Sequence, residues 1–245
     1  IGVHDLARSQ AKSRERLTDL DPALYECGVN CAFFGTVGMP DDPNYPGYAH
    51  IVKALEQNRN DPRFSEIALI VMLGGSTYCE PDTSPEPGKA KRRFKPLSDV
   101  RRAECEKFLT EAFRTLSEYP NIIGYSYDEP ENTFNNYYQR TRGGKGKDLD
   151  RGISEALIEY LGWIRPLAEK NHPGSLQMPI IAWWGTYANV APLYDVLIAD
   201  QYPRCEDKSE FASPLYEVSF DAARAVTAAR VNGRTAIYMP PVFDN

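Results

Sequence analysis

A compact group of carboxylic acids follows an apolar run near the middle of the chain. Residues 121–132 read NIIGYSYDEPEN, so a β-favouring stretch ends at Asp128, Glu129 and Glu131. Carboxylates at the end of a buried strand are costly unless they line a cleft or cap the next element. Pro130 lacks a backbone N–H and favours an extended backbone at Glu129, so we expect no helix to run through the acids. Glu129 is therefore the first candidate for chemistry.

Polar and aromatic residues also follow other apolar runs. They are His4 and Asp5, Trp183 and Trp184, Asp200 and Tyr202, and Asp244 and Asn245. Two carboxyl groups can hydrolyse a glycosidic bond, and aromatic faces can stack on sugar rings. This inventory predicts a carbohydrate site, for which the candidate substrate contacts are His4, Tyr127, Asp128, Trp183, Trp184 and Tyr202.

Each of these residues also has a structural interpretation. The three acids can cap the next helix and complement its dipole. Adjacent residues of a strand point to opposite sides, so at most one of Trp183 and Trp184 faces a cleft while the other packs in the core. Asp200 can equally be an acceptor for backbone N–H groups.

Other chemistries have less support. His4 is a candidate hydrogen-bonding orienter, whereas His50 and His172 have polar neighbours and are expected at the surface. No HxH, HExxH or G-x-S-x-G pattern indicates a zinc or serine hydrolase. The acids following residue 127 offer oxygen ligands for calcium, but their spacing matches no EF-hand loop. We therefore predict neither a metal nor a cofactor.

Hydrophobic periodicity predicts an alternation of strands and helices. The predicted strands are residues 1–4, 29–35, 67–73, 122–127, 179–184, 194–200 and 235–239, and the predicted helices are about 6–20, 49–57, 99–116, 153–170 and 220–231. Most of these strands are near-continuous apolar runs, which is typical of a parallel sheet covered on both faces. The segments 74–99 and 132–150 are polar and rich in breakers, and they are predicted as long connections.

The lengths of the connections indicate the type of α/β fold. Long irregular segments follow strands, whereas the returns from helix to strand are short, as at 117–121 and 232–234. This asymmetry is typical of a (β/α)8 barrel of the TIM type, in which the loops that follow the strands form the active site. No G-x-G-x-x-G or P-loop supports a doubly wound sheet. We predict one barrel domain over residues 1–245 with seven identifiable strands; the eighth is missing, unrecognised or beyond the chain end.

Composition excludes several classes of partner. The 245 residues are 42% hydrophobic and 25% charged, as in an ordinary globular protein, and 15 of them are tyrosine. The formal charge of −6 gives no attraction to nucleic acid or to anionic lipid. No apolar run approaches the length of a membrane span, and the five cysteines are expected to be buried thiols. Carbohydrate is the one predicted partner, and the oligomeric state stays open.

Two strand endings resemble those of a known family. Asp128-Glu129-Pro130 resembles the Asn-Glu-Pro motif that ends the fourth strand in clan A (β/α)8 glycoside hydrolases, and the segment 200–203, DQYP, is similar to the D-x-Y-P ending found in such barrels. The resemblance implies that Glu129 is the general acid/base, a role that requires a raised pKa. It also favours a secreted or periplasmic location.

The sequence departs from that family in two ways. Asp128 replaces the family's Asn, so an amide contact becomes an acceptor-only contact. The family's nucleophilic Glu ends the seventh strand, whereas residues 235–245, TAIYMPPVFDN, contain no Glu. Asp200 and Asp244 are then the candidates for the second catalytic carboxylate, and a separation from Glu129 of about 5 Å or about 6.5–9.5 Å would favour a retaining or an inverting mechanism. The competing class is a non-catalytic barrel that binds carbohydrate or serves as an assembly module.

Overall fold

The central sheet is built from strands in chain order. The computed structural model describes residues 2–3, 28, 30–82, 94–142, 147–182, 184–200 and 214–239. In these ranges the strands are β1 (Gly2–Val3), β2 (Cys31–Val37), β3 (Ala68–Leu73), β4 (Cys79–Pro81), β5 (Phe94–Pro96), β6 (Ile122–Asp128), β7 (Leu176–Ile181), β8 (Val196–Asp200) and β9 (Thr235–Met239). The order in the sheet is β1-β2-β3-β6-β7-β8-β9, and β4 and β5 form a separate antiparallel pair. The pairs β1 with β2, β2 with β3, β7 with β8 and β8 with β9 are parallel.

Helices separate most neighbouring strands of this sheet. In the described ranges they are α1 (Ala49–Asn58), α2 (Pro62–Ser65), α3 (Asp99–Leu116), α4 (Pro130–Arg142), α5 (Lys147–Asn171), α6 (Tyr187–Val190) and α7 (Pro214–Val231), with 3₁₀ turns at Gly75–Thr77, Trp184–Thr186 and Ala191–Leu193. The parallel sheet in chain order, alternating with helices, confirms the predicted α/β fold of the TIM-barrel type, with seven strands in the described part of the chain. No helix within these ranges is long and apolar enough to cross a membrane.

Helix α3 shows how the sequence specifies an element. Ser98 is its N-cap, and the Ser98 side chain accepts a hydrogen bond from the backbone N–H of Arg101 at 3.4 Å. Leu109, Phe113 and Leu116 recur at helical spacing and are completely buried. A polar cap followed by an apolar stripe specifies this helix, and its bounds agree with the predicted range of about 99–116.

Three local predictions were wrong. Residues 130–142 form a helix although most of them were predicted as a connection, because proline is favourable at the first helical position and Phe134 is buried. The strands β4 and β5 pair within the segment predicted as one long connection. Strand β7 starts and ends three residues before the predicted strand, since the backbone N–H of Ala182 donates to a side chain instead of continuing the ladder.

The contacts of the chain divide it into two compact units. One unit comprises Ile1–Thr77, Ser98–Ser126 and Pro166–Leu176, and the other comprises Tyr78–Leu97, Tyr127–Arg165 and Gln177–Asn245. Asp128, Glu129 and Asp200 all belong to the second unit. The single domain that the sequence suggests stays a prediction.

A glycine in β6 permits close approach of the neighbouring strand. A Cβ atom on Gly124 would lie 2.4 Å from the carbonyl oxygen of Leu176. We expect Gly124→Ala to lower the free energy of unfolding by about 1–3 kcal/mol, because backbone atoms must move to admit the methyl group. Urea denaturation of the purified variant measures this loss.

Gly162 in α5 offers a matched control. A Cβ at Gly162 would meet no atom within 4 Å, and the residue is exposed. Gly162→Ala should leave stability unchanged or raise it by up to about 1 kcal/mol, because alanine has the higher helix propensity. Equal stability of Gly124→Ala and the wild type would contradict the steric argument.

Candidate active site

Glu129 connects β6 to α4 through an unusual backbone conformation. Its φ is 42°, the only positive value at a non-glycine residue in the described ranges. The Glu129 N–H donates to the carbonyl of Ile180 at 3.2 Å, and the Glu129 carbonyl accepts from the N–H of Asn132 at 3.0 Å. The expected extended backbone was therefore wrong: the chain must leave the strand and enter a helix within one residue. Such a conformation costs about 1–3 kcal/mol, and residues of this kind cluster at functional sites.

The carboxyl group of Glu129 lies in surroundings that favour its neutral form. Burial raises the pKa of Glu129 to about 7, the negative charges of Asp200 and Asp128 add to this effect, and a hydrogen bond from Asn132 opposes it. The amide nitrogen of Asn132 is 2.5 Å from Oε2 of Glu129. A carboxyl group that is about half protonated near neutral pH can both give and accept a proton.

Asp200 supplies negative charge from the end of β8. Its side chain is only 4% exposed. Besides acting on Glu129, its charge contributes, after burial and Asp221, to the raised pKa of Tyr238 on the neighbouring strand β9. The structure therefore brings together three of the predicted residues, Glu129, Asp128 and Asp200, at the carboxyl ends of β6 and β8.

Tyr78 contacts the backbone of this group of acids, and the sequence did not identify it as a site residue. Its hydroxyl donates to the backbone carbonyl of Asp128 at 3.1 Å, and its ring packs edge-on against Phe134 and Tyr160. Burial, followed by the acidic groups around it, raises the pKa of Tyr78 well above its usual range. The residue lies within the segment 74–99 that the sequence predicted as a connection, and no local pattern relates it to Asp128, 50 positions away.

Glu131 has a structural role, and its position fits the interpretation that an acid here complements the dipole of the next helix. It lies in the first turn of α4, its side chain is completely buried, and Oε1 accepts the N–H of Ala182 at 2.6 Å. The position complements the helix dipole and fixes the chain just after β7. Among the described residues no group of three or more His, Cys, Asp or Glu side chains is arranged to hold a metal ion.

The other predicted contacts have different outcomes. Tyr127 is completely buried, its hydroxyl donates to Oε1 of Gln177, and its ring packs edge-on against Tyr160. Because Tyr127 lies in the core, it is not part of the proposed substrate site. Trp184 begins a 3₁₀ turn after β7 rather than ending a strand. The remaining predicted site residues, His4, Trp183, Tyr202 and Asp244, lie outside the described residues.

His172 is buried, not at the surface as predicted. It is 8% exposed, and its Nδ1 shares a hydrogen bond of 2.8 Å with the hydroxyl of Tyr125. Burial lowers the pKa of His172, which favours the neutral imidazole. Its polar sequence neighbours gave no sign of this tertiary partner.

Comparison with known proteins finds similarity in fold alone. No family model matches the sequence, and no curated protein matches it significantly. Similar solved structures include three β-galactosidases. Those from Rahnella sp. R3 and Bacillus circulans sp. alkalophilus have TM-scores of 0.56 and 0.55 and sequence identities of 11% and 10%, and the matches cover 98% and 97% of this chain and 49% of each of those chains. The one from the haloarchaeon Halorubrum lacusprofundi has a TM-score of 0.53 and a sequence identity of 10%, and the match covers 86% of this chain and 42% of that chain. The chain thus spans less than half the length of each. It has, at low identity, the fold of glycoside hydrolases of the TIM-barrel type.

Proposed function

We propose that this chain is a glycoside hydrolase in which Glu129 is the proton donor. The observation that carries the proposal is the placement of Glu129, directly after β6 and at a positive φ, where burial and the charges of Asp200 and Asp128 raise its pKa to about 7. Its position at the carboxyl end of β6 is where catalytic residues of TIM barrels lie. The fold shared with β-galactosidases supports the same reaction class.

The two carboxyl groups would divide the chemistry of hydrolysis. Protonated Glu129 gives its proton to the glycosidic oxygen as the bond from that oxygen to the anomeric carbon breaks. Asp200, as the ionised partner, either forms a bond to the anomeric carbon or takes a proton from the water that does so. In the first case water then hydrolyses the glycosyl ester, and the Glu129 carboxylate accepts the proton of that water. The proposed substrates are oligosaccharides and polysaccharides.

The pH dependence of hydrolysis follows from the state of Glu129. Because the protonated acid is the active form and its pKa is raised to about 7, kcat/KM should fall as the pH rises through about 7. Initial rates between pH 3.5 and pH 9 on aryl β-galactosides and on polysaccharides measure this limb. An alkaline limb near pH 4.5, the value expected for an unperturbed carboxyl group, would contradict the assignment of Glu129.

The absence of Glu from residues 235–245 favours a second candidate function, a non-catalytic barrel that binds carbohydrate. Turnover of a panel of oligosaccharides, polysaccharides and aryl glycosides distinguishes the two. Tight glycan binding, measured by calorimetry, without hydrolysis of any panel member would overturn the proposal of a hydrolase and support that of a carbohydrate-binding protein. Hydrolysis of any member, abolished by Glu129→Gln, would support the enzyme.

A further inference from the structure

Asn132 contacts Glu129 through two separate groups. Its side-chain nitrogen is 2.5 Å from Oε2 of Glu129, and its backbone N–H donates to the Glu129 carbonyl at 3.0 Å. Asn132 is the third residue of α4, so the helix fixes its direction relative to the residue that precedes the helix. The side chain is exposed and can be changed without disturbing the core.

The contact has a chemical consequence for the acid. In a neutral carboxylic acid the carbonyl oxygen is a better acceptor for an amide N–H than the hydroxyl oxygen is. With Oε2 accepting from Asn132, the proton of the neutral acid is therefore favoured on Oε1. We propose that Asn132 is a positioning residue that keeps Oε2 of Glu129 as the acceptor and assigns the transferable proton to Oε1. Its part in catalysis rests on the proposed hydrolase function, whereas its effect on the proton does not.

The effect of Asn132 on the titration of Glu129 is opposite in sign to the effects of the other groups around that acid, so it can be measured separately. The charges of Asp200 on β8 and Asp128 on β6 favour the protonated acid, and the phenol of Tyr78 at β4 is itself perturbed by Glu129. Glu131 is held by the N–H of Ala182. The Asn132 amide is the group that favours the ionised form of Glu129. Removing that amide should therefore shift the titration of Glu129 upward.

Carbon-13 NMR of protein labelled at the glutamate carboxyl carbons tests this directly. The Glu129 signal is assigned as the one lost in Glu129→Gln. Its titration midpoint should rise by ~0.5 unit in Asn132→Ala, which loses the donor, and by ~1 unit in Asn132→Asp, which adds a like charge. Asn232 is the control, because its exposed amide donates to the carbonyl of Ala228 at 2.9 Å. Unchanged midpoints in both Asn132 variants, or equal shifts in Asn232→Asp, would overturn the proposal.

Kinetics then tests positioning. In Asn132→Ala we expect kcat to fall about tenfold with KM little changed, since the proton of Glu129 and not the binding of substrate is affected. The alkaline limb of the pH profile should rise with the NMR midpoint. An unchanged kcat and limb would overturn the positioning role. If the wild type hydrolyses no glycoside yet the midpoints shift as expected, the proposed hydrolase function fails while the hydrogen bond from Asn132 to the Glu129 carboxyl group stands.

Discussion

Replacing Glu129 by glutamine is expected to lower kcat/KM by roughly 10²–10⁴-fold, the usual contribution of a general acid. Glutamine has the same shape and keeps an oxygen to accept from Asn132, but it has no proton to give. The loss should be largest for alkyl glycosides and smallest for aryl glycosides with acidic phenols, because a good leaving group needs little protonation. Steady-state rates on a series of leaving groups measure this trend.

Glu159→Gln provides the matched control for that substitution. Glu159 is an exposed residue of α5, and the same change there should leave kcat/KM within about twofold of the wild type. A uniform loss of activity in Glu129→Gln, independent of the leaving group, would argue against proton donation by this residue. Rates equal to those of the wild type would remove Glu129 from the mechanism.

The largest effect on stability is expected at Asp195, directly before β8. Its Oδ1 contacts the guanidinium groups of Arg165 at 2.8 Å and Arg234 at 3.3 Å, and its Oδ2 accepts the N–H of Gln177 at 2.9 Å. Asp195→Ala leaves two partly buried cations and one backbone N–H without this acceptor. We expect a loss of about 2–4 kcal/mol, below the figure for fully buried pairs because the Asp195 side chain is 20% exposed.

Urea denaturation measures the loss at Asp195, with Arg59→Ala as the control. The pair of Arg59 and Glu56 is exposed, so Arg59→Ala should cost less than about 1 kcal/mol. Asp195 contacts the amino ends of β7 and β9 through Gln177 and Thr235, whereas Glu129 and Asp200 lie at carboxyl ends. Activity well below the unfolding transition should therefore be unaffected. A variant that is stable but inactive would contradict this separation.

The strands were predictable because burial on both faces leaves an unbroken apolar run. Residues 67–73 predicted β3, which the structure places at Ala68–Leu73. Acids directly after such a run are costly unless they have a role, and this argument selected a small set of acids, with Glu129 and Asp200 among them, from the 34 acidic residues of the chain. The alternation of strand and helix then predicted that both acids lie at the carboxyl ends of strands.

Contacts between distant residues and local backbone geometry could not be predicted. The preference of a residue before proline indicated an extended Glu129, but the hydrogen bond to Ile180 and the start of α4 impose a positive φ. Helix α4 is mostly polar, and the burial of Phe134 against Tyr78 stabilises it from outside its own segment. Interactions of this kind become visible only when the chain is folded.

The backbone and burial of Glu129 have an evolutionary consequence. A φ of 42° suits glycine better than glutamate, and the raised pKa of the buried carboxyl group destabilises the fold increasingly as the pH rises from about 4.5 to about 7. Replacing Glu129 by glycine should therefore make the fold more stable. A lineage released from selection for catalysis would drift readily into stable, inactive barrels, and only selection for activity would retain glutamate here. If related chains lose the proposed hydrolase activity, a substitution at position 129 is thus the first change expected in their sequences.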